Sequence, residues 1–257
     1  MFFIMDLKLK TEFLSKWNKY FGEAELPLTC WYSELEHEAM KVAVPKGHCC
    51  IICELSKVRH GDSLFFNAEN LGCGGSRRYL GYAFDIRPNF EYFLSCGIPG
   101  ELEGERYIKT PEMVNELMAK QHQVPANGRN LIFKRWDHLT ENDRPEIVFF
   151  FATPDVLSGL FTLANFDQSE PNSTFCPFGA GCGSIIHYPF HEIEKERQRA
   201  VIGMFDPSAR PCVPANTLSF AVPMKKFTTM IQYMDESFLI TDTWETVRKR
   251  ISSKKSL

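Results

Sequence analysis

The chain has 257 residues, 44% of them hydrophobic, and a net charge of −3, which is enough apolar sequence to bury a substantial core. That charge supplies no broad attraction to nucleic acid or an anionic membrane, and no run of about 20 apolar residues is present to span a bilayer. The apolar start, Met1 to Met5, gives way to Asp6 and Lys8, too soon for a signal-peptide core. A cytoplasmic protein is therefore expected, with its nine cysteines serving as core thiols, redox thiols or metal ligands rather than structural disulfides.

In chain order, Thr11 to Phe21 has the spacing of an amphipathic helix, with Thr11 as cap and Gly22 as stop. Leu28–Tyr32 and Lys41–Val44 are short strands, the second ended by Pro45 and Gly47. A helix from near His48 to His60 carries Cys49, Cys50 and Cys53. Cys50-Ile-Ile-Cys53 is formally a C-x-x-C at a helix start, where free amides lower a thiol pKa. The helical pattern predicts Cys53 in the core and one of Cys49 and Cys50 in a cleft. Ser63–Phe66 is a strand, followed by Gly72-Cys73-Gly74-Gly75 and a short helix from Ser76 to Tyr79.

Phe90–Cys96 forms a helical turn, and Thr110-Pro111-Glu112 opens a helix to about Gln121 with Met113, Leu117 and Met118 inward. Asn130–Trp136 is a strand. Glu146–Ala152 is an unbroken apolar strand of the kind covered on both faces. It feeds a helix from Thr153 to Phe166, and the carboxyl end of such a strand is a natural binding place. After a polar loop come Cys176 and Gly181-Cys182-Gly183. Then follow strands at Ala200–Phe205 and Leu218–Val222, with the turn Asp206–Arg210 between them. Two helices, Lys225–Met234 and Thr243–Ile251, precede a solvated tail at Lys254-Lys255.

These elements describe an α+β protein: a single domain over residues 1–257, with a mixed sheet and flanking helices, residues 224–257 forming the C-terminal helices. The segments Gly72–Tyr79 and Gly181–Tyr188 echo each other, with a cysteine between glycines and a tyrosine six residues later. The echo admits two related halves and points to one site. Glycines there are expected to adopt positive φ and let the backbone approach a bound group.

The succession of Val44-Pro45, Cys49-Cys50, Gly72–Gly75, Pro154-Asp155, Cys182, Ser208-Ala209-Arg210 and Ala221-Val222-Pro223 resembles the uncharacterised prokaryotic family called domain of unknown function family 169, over about residues 42–223. The resemblance implies no established reaction. It does imply a further cysteine in the late turn, where this chain has Asp206, with Cys212 six residues later.

Three chemistries fit the residues. The first is an iron–sulfur cluster or transition metal held by Cys73, Cys176 and Cys182 with Cys49 or Cys50, since clusters need close backbone approach and amide donors to sulfur. The second is a thiol-dependent enzyme or redox protein using Cys73 or Cys182, with Cys50 or Cys176 as resolving partner and His187, His48 or Arg77 as proton or charge partner. The third is a non-catalytic, cofactor-free binding module in which Gly72, Gly74, Gly181 and Gly183 shape turns that hold a small anionic ligand with Arg77, Arg78 and Arg210. A small molecule is the expected partner, and a homodimer is the default assembly.

Overall fold

The structure is a computed structural model, and it describes residues 4–35, 40–41 and 49–253. Its strands are β1 (Leu28–Ser33), β2 (Met40–Lys41), β3 (Leu64–Phe66), β4 (Asn130–Arg135), β5 (Ile147–Ala152), β6 (Thr174–Phe175), β7 (Ala200–Gly203) and β8 (Leu218–Pro223). They form one mixed sheet in the order β2-β3-β4-β1-β5-β8-β7-β6. The end pairs β2/β3 and β6/β7 are parallel, and the other pairings are antiparallel.

Alternation in β5 explains why its apolar run is unbroken. Val148, Phe150 and Ala152 join the core on one face of the sheet, while Ile147, Phe149 and Phe151 join the core on the other. A strand with period-two side chains must be apolar throughout when both faces are dry. Truncating Phe149 or Phe150 to Ala removes about 3–5 kcal/mol of such packing.

The helices are α1 (Leu7–Phe21), α2 (Ile51–Arg59), α3 (Gly74–Tyr79), α4 (Phe90–Leu94), α5 (Pro111–Lys120), α6 (Pro154–Asn165), α7 (Tyr188–Ile193), α8 (Met224–Tyr233) and α9 (Asp242–Ser253). Residues of α1, α6, α8 and α9 cover the first face, with the rings of Trp17, Phe150 and Phe227 in one aromatic group. Residues of α2, α7 and the turn before α7 cover the second face. No helix among the described residues is long and apolar enough to cross a membrane.

The strand plan gives the two-halves expectation physical form. Strands β1–β4 and β5–β8 have the same internal order and the same parallel end pair, and they meet along β1/β5. Cys182 lies between β6 and β7 as Cys50 lies between β2 and β3, and Cys73 follows β3 as Asp206 follows β7. The positional counterpart of Cys182 is thus Cys50, not Cys73, so the glycine–cysteine–glycine echo does not mark equivalent places.

Local differences from the sequence reading have simple causes. Helix α1 starts earlier because Asp6, not Thr11, caps it, accepting from Lys8 N at 2.8 Å. Helix α5 is capped by Thr110 as expected, yet it buries only Val114 and leaves Met113 50% exposed. The expected strand residues 42–44, the stop at Pro45 and Gly47, His48 and the Lys254-Lys255 tail lie outside the described residues.

Gly203 is where the second face depends on a missing side chain. A Cβ there would collide with the Cβ and Oγ of Ser184, whose hydroxyl donates to Gly181 O at 2.8 Å. Gly203→Ala is expected to cost about 1–3 kcal/mol by overpacking. Gly74→Ala, whose Cβ would meet nothing within 4 Å, should be neutral or stabilising. Urea unfolding of both variants checks the contrast.

Candidate functional site

Three cysteines stand at helix starts on the second face. Cys50 is the N-cap of α2, Cys73 is the N-cap of α3, and Cys182 precedes a five-residue π-helical turn, Gly183–His187, that runs into α7. Such wide turns recur at functional sites. Cys182 is buried, and Cys50 and Cys73 are half-buried. Cys73 and Asp206 act electrostatically on both Cys50 and Cys182, and Cys50 also acts on Cys182.

Thiol reactivity runs opposite to the helix-start expectation. Burial pushes the Cys50 thiol up, outweighing the Ile52 and Cys53 amides that favour its thiolate, and Cys73 and Asp206 add repulsion. Burial also pushes Cys182 up, followed by Cys73 and Cys50, although the Ser76 hydroxyl opposes the shift. No cation stands among the groups acting most strongly on either thiol, so desolvation and like charge win.

Of the five expected metal-ligating cysteines, the structure brings together Cys50, Cys73 and Cys182. Cys49 turns to Glu54 Oε1 at 3.5 Å, and burial beside that carboxylate raises it to about 11. Cys176 is in an exposed segment, raised by burial alone. Among the described residues no three His, Cys, Asp or Glu side chains are arranged to hold a metal ion, so the metal expectation gains no support from this geometry.

A disulfide replaces two expectations. Cys53, predicted as a core residue, is exposed and bonded to half-buried Cys212, with Cα atoms 4.6 Å apart. Cys53 is in the first turn of α2, and Cys212 ends a 3₁₀ turn, Arg210–Cys212, beyond β7. The bond therefore ties one half of the sheet plan to the other beside the three thiols. A helical wheel gives Cys53 a face but no partner, which is why the sequence reading missed it.

The arginines of the anion reading brace backbone. Arg77 Nε donates to Leu71 O at 3.0 Å, and Arg78 Nη1 donates to Phe84 O at 2.7 Å. Arg210 donates to the carbonyls of Met204, Thr217, Pro214 and Ala215. Asp206 accepts from Gly181 N at 3.1 Å and from Ser208 N and Oγ.

The glycines act through size rather than positive φ. Among the described residues the positive-φ glycines are Gly22, Gly61, Gly81, Gly97 and Gly100, so Gly72, Gly74, Gly181 and Gly183 are not among them. A Cβ on Gly181 would meet Ala209 Cβ at 2.9 Å, and one on Gly183 the Tyr79 ring at 3.1 Å. Close packing of the Cys182 turn against α3 and the late turn is what these two supply.

His187, expected as a proton partner for a thiol, is buried between the rings of Tyr79 and Tyr188, with centroids at 5.6 and 5.1 Å. Burial lowers it to about 4, with His191, Arg78 and His122 adding repulsion against the carbonyl of His122. It is neutral at pH 7. The unfolded chain protonates this histidine near 6.5, so its stabilising effect is complete above pH 6.5 and is lost as pH falls toward 4. That loss amounts to at most about 3 kcal/mol. The wild-type stability advantage over His187→Gln should therefore shrink across this window in urea unfolding, and an unchanged advantage would refute a buried neutral imidazole.

Comparison with curated proteins and with solved structures finds no match. A family model matches residues 23–233, a span that encloses the eight strands of the described residues and the three thiols. The chain accordingly belongs to the family DUF169, described as uncharacterised ArCR, COG2043.

Proposed function

We propose that this protein is a thiol-based redox protein whose exchangeable bond is Cys53–Cys212. The observation that carries the reading is a disulfide with one exposed sulfur residue, in a C-x-x-C whose other member, Cys50, begins the same helix. Exposed disulfides are the labile and catalytic ones.

The chemistry balances with an external dithiol as reductant. One thiolate of the dithiol attacks Cys53 Sγ; a mixed disulfide forms, and Cys212 leaves as a thiolate that takes up a proton. The second thiol of the reductant, or Cys50 from three residues away, attacks the mixed disulfide and releases Cys53 or the partner. With the dithiol completing both steps, two electrons and two protons pass to the protein. Cys182, held neutral by burial and by neighbouring thiols, and half-buried Cys73 form a reserve of thiols behind the exchanging pair.

A second reading rests on a different observation. Cys50, Cys73, Cys182 and Asp206 gather three thiols and a carboxylate, with no basic group among the strongest neighbours of Cys50 and Cys182, an environment that a soft metal ion or an iron–sulfur cluster would relieve. That reading requires the side chains to turn closer together than they stand.

Thiol counting separates the two. The redox reading expects seven free thiols in protein denatured without reductant and nine after reduction, with Cys53 and Cys212 the newly labelled pair by mass spectrometry. Nine thiols in both samples would defeat it. Protein purified without oxygen should carry no stoichiometric iron, zinc or labile sulfide. Bound metal that disappears in Cys182→Ala would instead establish the second reading.

A further inference from the structure

Three elements of the second face enclose a polar cluster that neither thiol chemistry nor folding accounts for. Helix α3 contributes Arg78 and Tyr79, the end of α5 contributes Gln121 and His122, and the π-helical turn with α7 contributes His187, Tyr188 and His191. Gln121 lies against both phenol hydroxyls. Exposed His122 and half-buried His191 form a mouth, with ring centroids 4.4 Å apart.

Seven buried side-chain atoms lack a hydrogen-bond partner among the described residues, and three of them are here: Arg78 Nε, Gln121 Oε1 and His187 Nδ1. His187 is only 5% exposed, so its nitrogen is shut away from bulk solvent. Buried polar groups are ordinarily paired, and one left unpaired is costly. Three orphans in one cluster call for a ligand common to them.

Charge says what kind. Arg78, His122 and His191 all oppose a proton on His187, and Lys195 acts likewise on His191. The acidic groups facing this end are Glu192, which is paired with Arg199 at 2.9 Å, and Glu194. Arg78 Nε and the Tyr79 phenol are donors, the Tyr188 hydroxyl already donating to Phe178 O at 3.3 Å, and imidazole becomes a second strong donor once protonated. The one acceptor, Gln121 Oε1, can take the O–H that a monohydrogen phosphate keeps.

We propose that this cluster is a binding site for a small oxyanion, with Arg78 and His187 donating to it between Tyr79 and Tyr188. The group is a phosphate or a carboxylate, free or as one end of a larger metabolite. The assignment is independent of the thiol reading, since none of its residues is a cysteine. The anion favours the protonated imidazole, so binding draws a proton onto His187 and tightens as pH falls below neutrality.

Histidine-ring NMR of the full chain tests this. Inorganic phosphate and acetate are titrated separately, at constant ionic strength against chloride. A saturable shift of the His187 ring signals, with its titration midpoint moved upward by the bound anion, is the expected result, and whichever anion produces it names the group. Arg78→Gln should weaken that affinity by about tenfold or more, the scale of one lost charged hydrogen bond. No saturable shift with either anion in the wild-type protein, or equal affinity in a folded Arg78→Gln protein, would overturn the proposal and leave a water-filled polar core. The wild-type titration decides the matter even if the variant does not fold.

Discussion

Two-sided burial of β5 is the constraint on which the rest of the structure depends. Every side chain of Ile147–Ala152 is buried, β1 and β8 pair with it on either side, and both faces of the sheet must therefore be roofed. The C-terminal helices with α1 roof one face. The other roof is made from short elements, α2, α3 and the π-helical turn into α7, and its helix starts carry the cysteines. Cys50, Cys73 and Cys182 are thus gathered on the face where covering pieces are short and their ends converge.

That convergence follows from the strand plan. Each half has a parallel pair at the outer edge, and the connections after and between those strands return to the same side. Cys50 and Cys182 come from the connections between parallel strands, Cys73 and Asp206 from those that follow. The four groups gather near the junction of the halves, and Cys53–Cys212 ties α2 of the first to the late turn of the second. Burial without a neighbouring cation leaves the Cys50 and Cys182 thiols protonated, whereas the Cys53–Cys212 disulfide has one exposed residue.

Small side chains decide how closely these pieces approach. Gly203 accepts Ser184, Gly183 accepts the Tyr79 ring, and Gly181 accepts Ala209. The glycines flanking Cys182 therefore act as packing surfaces, and the expectation of positive φ fails because the Cys182 segment is helical. The same packing sets Tyr79 and Tyr188 on either side of His187, and brings Gln121 and His122 over them from a helix end more than forty residues away from each in sequence.

What could be read from the sequence alone was governed by local chemistry. The apolar run of β5, the Thr110-Pro111 start of α5, Gly22 beyond α1 and the α+β class all depend on periodicity, caps and breakers within a few residues. The pairing of Cys53 with Cys212, the turning of Cys49 to Glu54, the use of Arg77 and Arg210 on carbonyls, and the assembly of Arg78, Gln121 and His187 were not readable there. Each depends on which sheet edge and which helix end meet in space, and side-chain period specifies a face but not what lies against it. Residue types and local elements were determined by the sequence on its own; partners, burial and hence thiol and imidazole protonation were decided by the tertiary structure, because desolvation and charge act across space regardless of separation along the chain.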